Sequence, residues 1–138
     1  MNINVAFQNQ GILAWRAVAA TNVNPPIDIR HHVNFGITFQ AIDDLTADAV
    51  FEVQAAPADA ADPCAPGAFH PVEEVVSCMS PWGALPATKS EVTIPAGTPK
   101  GTICTATLPC KPDAFIKVMA VSGDTGFLHV VVVLGGPR

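Results

Sequence analysis

"FLHVVVVLGGPR", residues Phe127 to Arg138, decides how this chain is read. Four consecutive valines, Val130 to Val133, are β-branched and favour a strand over a helix. A strand with one wet face alternates apolar and polar side chains, whereas an unbroken run asks for cover on both faces. The apolar run Val130 to Leu134 is far shorter than the roughly 18 residues of a membrane span, so the cover must be protein.

Working outward, "AFIKVMAVS" (114–122) sets Phe115, Lys117, Met119 and Val121 on one side and Ile116, Val118 and Ala120 on the other. "GDTG" (123–126) reads as a tight turn, which pairs Phe115 to Ser122 with Phe127 to Leu134 as a hairpin. In "VNFGITFQAI" (33–42), Phe35, Ile37, Phe39 and Ala41 share one face, and "AVFEVQA" (49–55) repeats the pattern with Phe51, Val53 and Ala55. The polar "DDLTAD" between them is a turn or a single helical turn. "ILAWRAVAA" (12–20), "VEEVVSCM" (72–79), Glu91 to Ile94 and Thr102 to Thr107 add further short strands.

Gly and Pro, at 10 and 13 residues, are scattered along the 138-residue chain and cut it into short segments. The expectation is an all-β single domain, a jelly-roll or Greek-key β-sandwich of about eight strands, in which terminal strands often lie centrally in a sheet. Two long irregular loops interrupt it. "APADAADPCAPGAFHP" (56–71) is longer than a connection needs to be and is the first place to expect a partner-binding arm. "SPWGALPATKS" (80–90) carries Trp82 between Pro81 and Gly83, either tucked over the core as a plug or projected as an interface anchor.

Charged residues make up 14% of the chain, against about 25% in an ordinary soluble domain. So few charges leave a neutral or apolar surface of the kind that marks contact sites. The net charge is −5 and Lys and Arg form no cluster, which argues against a nucleic-acid partner. "MNINVAFQNQ" lacks the features of a secretory signal, so residence in the cytosol that makes the chain is expected, with no membrane partner.

Cys64, Cys78, Cys104 and Cys110 show no C-x-x-C knuckle, and the spacing favours small buried thiols over a zinc site or disulfides. If a disulfide forms, Cys104 to Cys110 across "CTATLPC" is the best candidate. No nucleophile elbow, zinc-protease helix or phosphate loop is present. Asp43 with Asp44 and Glu73 with Glu74 are neighbours in sequence only, because adjacent strand residues face opposite ways. His31 and His32 are adjacent, unlike the His-x-His pair of a cupin metal site, and Glu52 is too far along to complete one. His70 and His129 stand alone. No catalytic residue, metal ligand or cofactor is therefore expected, and the chain reads as a non-enzyme. A sugar platform needs exposed Trp or Tyr, and Trp82 is the one residue that qualifies.

The run "VNFGITFQAIDDLTADAVFEVQAAPADAADPCAPGAFHPVEEVVSC", followed by the valine-rich strand, resembles the small cement or decoration proteins of tailed-phage capsids. The resemblance extends from about Val33 onward and lies in style and order, without a diagnostic motif. It implies a jelly-roll protein on the outside of the capsid, bridging major capsid subunits and stabilising the head, often as a homodimer. Phe69 and Trp82 would be loop anchors, and alternate members of Val130, Val131, Val132 and Val133 would form the dimer seam. The alternative is a carbohydrate- or receptor-binding module of a phage tail or fibre.

Overall fold

Apolar and polar residues alternate along most of the chain, and that alternation builds two facing antiparallel sheets. The computed structural model describes residues 9–15, 26–30, 32–73, 76–85, 88–108 and 113–137; for 9–15, 32–35 and 133–137 it describes the backbone alone. The strands are β1 (Asn9–Trp15), β2 (Ile27–Asp28), β3 (His32–Ala41), β4 (Ala49–Ala56), β5 (His70–Pro71), β6 (Ser77–Ser80), β7 (Gly83–Ala84), β8 (Glu91–Ile94), β9 (Ile103–Thr107), β10 (Phe115–Ser122) and β11 (Leu128–Pro137). Apart from the two-residue pieces β2, β5 and β7, these are the segments the alternation picks out. The boundaries of β1 and β6 differ from expectation: β1 starts at Asn9, and β6 covers only the end of "VEEVVSCM".

The first sheet runs β1-β11-β3-β9-β6-β7 and the second β2-β10-β4-β5, with β8 also paired to β4. The chain passes from one sheet to the other at every connection except those from β4 to β5 and from β6 to β7. The resulting orders β1-β11-β3-β9 and β2-β10-β4-β8 are those of a jelly roll. Residues 57–90, carrying β5, β6 and β7, are an insertion between its fourth and fifth strands. The core lies between the sheets, where the rings of Phe39 and Phe51 meet with centroids 4.9 Å apart.

The hairpin expected through "GDTG" does not form. β10 pairs with β2 and β4, while β11 pairs with β1 and β3 in the other sheet. Gly123 has φ +77° and its backbone rests on Asp48, so that a Cβ there would come within 1.6 Å of the Asp48 carbonyl oxygen. Asp124 then takes φ −80° and ψ 41°, and a single 3-10 turn, Thr125–Phe127, carries the chain across to the facing sheet. Close docking on a neighbouring crossing turns the glycine into a corner instead of a hairpin tip.

β11 lies centrally, between β1 and β3, as expected of a terminal jelly-roll strand. Val130 and Val132 are 0% exposed, opposite Phe39 and Ile37 on the core face. They are therefore ordinary core residues and are removed from any dimer seam. Val131 lies on the outer face and is half-buried; the Val133 side chain lies outside the described residues.

Three of the crossings, 42–48, 95–102 and 123–127, gather at one end of the sandwich and are bound together by aspartates. Asp44 Oδ1 accepts the Lys100 N–H at 2.8 Å and Asp48 Oδ1 that of Ala96 at 2.7 Å. Asp124 Oδ2 accepts from Thr46 N, Thr46 Oγ1 and Ala47 N at 2.7, 2.8 and 2.9 Å. These bonds to the ionised form hold the Asp124 carboxyl below the usual carboxylate range. Asp44 and Asp48 of "DDLTAD" thus serve as ties between crossings.

Candidate interaction surface

β6 and β7 form the hairpin that presents Trp82. Met79 pairs with Ala84 and Ser80 with Gly83, leaving Pro81 and Trp82 as the two-residue loop. Proline fixes φ at the first loop position, and Gly83 takes φ +130°, which other residues rarely adopt. Ser80 Oγ donates to the Gly83 carbonyl at 2.8 Å and accepts the Trp82 N–H at 3.3 Å. The tip is thereby fixed, and Trp82 is 70% exposed. It is projected, and the plug reading fails. Beside it runs a shallow groove of about 410 Å³, lined by Trp82 and by Pro95, Ala96, Gly97, Thr98 and Pro99 of the β8–β9 crossing. That wall is firm, because Ala96 is tied to Asp48 and Gly97 and Thr98 exchange backbone bonds with Leu45.

The outer face of the first sheet continues from Trp82. By register, Val131, Thr38, Thr105 and Met79 lie in one row across β11, β3, β9 and β6, and His129, Gln40 and Ile103 in the next. Thr107 and Ser77 add a third. No Asp, Glu, Lys or Arg stands among these residues. Met79 and Ile103 are each about half exposed. Ile42, Val121 and Phe127, the other large apolar side chains exposed among the described residues, lie at the crossing end.

The second sheet presents a different surface. Phe115 and Ala56 pair with each other outside the main core cluster, yet both are buried. The Arg30 guanidinium lies 4.9 Å from the Phe115 ring centroid, is forked onto Asp28, and donates from Nη1 to the Pro63 carbonyl at 2.7 Å. Asp28 raises the Arg30 pKa further and keeps it charged. The Lys117 ammonium sits 4.3 Å from the Phe69 ring centroid. A bridge between Ala58 and Pro66 and a bond from Gly67 N to Pro57 O close the 57–69 loop upon itself. The loop expected to reach for a partner is a strap fastened over its own sheet, and Phe69 is one of its fasteners. Sequence reasoning passed over Asp28 and Arg30, although their i, i+2 spacing in "IDIR" was the available signal.

Cys78 and Cys104 are buried free thiols in the core, as the reduced reading expects. Burial, and secondarily the neighbouring Cys104, pushes the Cys78 thiol up to about 12. Cys104 does not enter a disulfide; Cys110, its suggested partner, lies outside the described residues, and Cys64 is exposed. His31 also lies outside them. Among the described residues no group of three or more His, Cys, Asp or Glu is placed to hold a metal ion, and no helix is long and apolar enough to cross a membrane. No protein-family model and no curated protein matches the sequence.

Proposed function

We propose that this chain is a structural virion protein that binds the outside of a tailed-phage capsid, bridging major capsid subunits and stabilising the head as a homodimer. The observation that carries the reading is the fixed, 70% exposed Trp82 at the margin of a sheet face whose described side chains include no Asp, Glu, Lys or Arg. A tryptophan held in one place loses little conformational freedom on docking and offers a large apolar area. The adjoining neutral face can be covered without stranding a charge. The resemblance of the sequence to cement proteins names the capsid as the partner. Each contact is modest, but a copy that touches two capsid subunits makes its second contact at high effective concentration.

The test is co-sedimentation of the purified chain with phage heads from the source that encodes it. Saturable binding that resists dilution, and loss of head stability when the chain is left out, are expected. Failure to bind heads under any condition in which the chain is folded overturns the reading.

The groove beside Trp82 favours one second reading, a carbohydrate- or receptor-binding module of a tail or fibre. That reading requires sugar-dependent quenching of tryptophan fluorescence which disappears in Trp82→Phe.

A further inference from the structure

Exposed strand edges are sites of unwanted pairing, and proteins protect them by shortness, proline, charge or a covering group. Most described edges of this sandwich carry such protection. β2 has two residues and bears Asp28 with Arg30 forked upon it. β5 is two residues long and contains Pro71. β7 is two residues long and follows Pro81 and Trp82. β8 has four residues, begins with Glu91, and has the Glu91 carbonyl occupied by the Thr88 hydroxyl.

β1 is the exception. It runs for seven residues, NQGILAW, without a proline or an ionisable side chain. Among the described residues it has a partner on one side only, β11. One irregularity, between Leu13 and Trp15, interrupts its register. We propose that the edge of β1 away from β11 pairs antiparallel with β1 of a second copy, so that the two first sheets join into one continuous sheet across a two-fold axis.

The occupant follows from symmetry and charge. An antiparallel edge offered to its own copy is self-complementary and closes at two, which limits assembly to a dimer. Strands in a sheet lie about 4.8 Å apart, so any charge on a self-paired edge would meet its twin at close range. Each copy carries a net charge of −5, yet Asn9 to Trp15 contributes none of it. Joining at β1 also continues the uncharged outer face from one copy to the next. The inference rests on the homodimer of the reading above and names its contact, but it can be tested without capsids.

Two measurements on the full chain decide it. In sedimentation velocity, a monomer–dimer equilibrium is expected. In hydrogen–deuterium exchange, amides of residues 9–15 slow as protein concentration rises, while those of β3 and β9 do not change. Gly11→Lys with Leu13→Lys weakens self-association by about tenfold, because Leu13 pairs with the outward Val131 and Gly11 shares its face, so each copy then brings two like charges to the seam. If that variant fails to fold by circular dichroism, the exchange comparison on the unaltered chain stands by itself. A monomer at the highest soluble concentration overturns the inference. So does a dimer whose β1 exchange ignores concentration, or β1 protection that arises only on heads, where a capsid strand would be the occupant. Loss of head binding with an intact β1 dimer overturns the capsid reading and leaves this one standing.

Discussion

The two sheets of this sandwich have similar inner faces and opposite outer ones. On the second sheet, Phe115 is an outward residue that is nevertheless 4% exposed, and over its ring lies the Arg30 guanidinium, itself tied to Pro63 of the 57–69 strap. On the first sheet, Ile103 and Met79 remain half exposed on a face with no Asp, Glu, Lys or Arg among its described side chains. The chain therefore uses its longest described loop, three of its prolines and two cation–ring contacts to finish one face, and leaves the other to be covered from outside. An apolar residue on a sheet exterior signals a partner only where the chain has no cover of its own for it.

The harshest way to break this comparison is to disturb the corner that keeps the faces apart. Gly123→Ala puts a Cβ against the Asp48 carbonyl at a positive φ and should cost about 3–5 kcal/mol in urea denaturation. Gly97→Ala, at φ +86° with nothing within 4 Å, should cost only about 1–2 kcal/mol. Equal losses would mean that the corner is not tightly docked. The faces themselves are compared by Phe115→Ala, expected to lose about 3–4 kcal/mol as a buried aromatic, and Ile103→Ala, expected to lose no more than about 1 kcal/mol. A costly Ile103→Ala would show that the first sheet is covered within the chain.

The ties at the crossing end have a pH signature. Bonds that lower the Asp124 pKa stabilise the fold above the ordinary carboxylate range, and that stability is lost as pH falls through the depressed folded value. Melting temperature should therefore fall on acidification, and Asp124→Asn should remove part of that slope. An unchanged slope would make the tie irrelevant.

Smaller still is the strap. Lys117→Ala removes the cation over Phe69 and should cost about 0.5–1 kcal/mol, with faster proteolysis inside residues 57–69 as its clearer readout. Trp82→Ala should change stability by no more than about 0.5 kcal/mol and abolish attachment to heads. A large loss of stability there would restore the plug reading.

Much of the fold was legible because strand alternation is a local signal. Phe35 to Ala41, Phe51 to Ala55 and Ile116 to Ala120 announce their faces in sequence, and the scattered Gly and Pro announce the sandwich. What was misread depended on contacts distant in sequence. "GDTG" looks like a hairpin turn unless one knows that Gly123 will lie on Asp48. The valine run asked for cover on both faces, and the core supplies it for Val130 and Val132, leaving Val131 as the outward residue. Phe69 and Trp82 both stood in Pro-rich loops as possible anchors. Only the presence of Lys117 beneath one ring, and the tight β6–β7 loop behind the other, separates fastener from projection.

The central claim is that the uncharged first face, with Trp82 at its margin, is the surface covered from outside. The direct test is hydrogen–deuterium exchange of the chain on heads against the chain in solution at equal concentration. Protection gained at residues 77–84 and 103–107, with 57–69 unchanged, is the result predicted. Protection confined to the strap, with the first sheet unaltered, would contradict it.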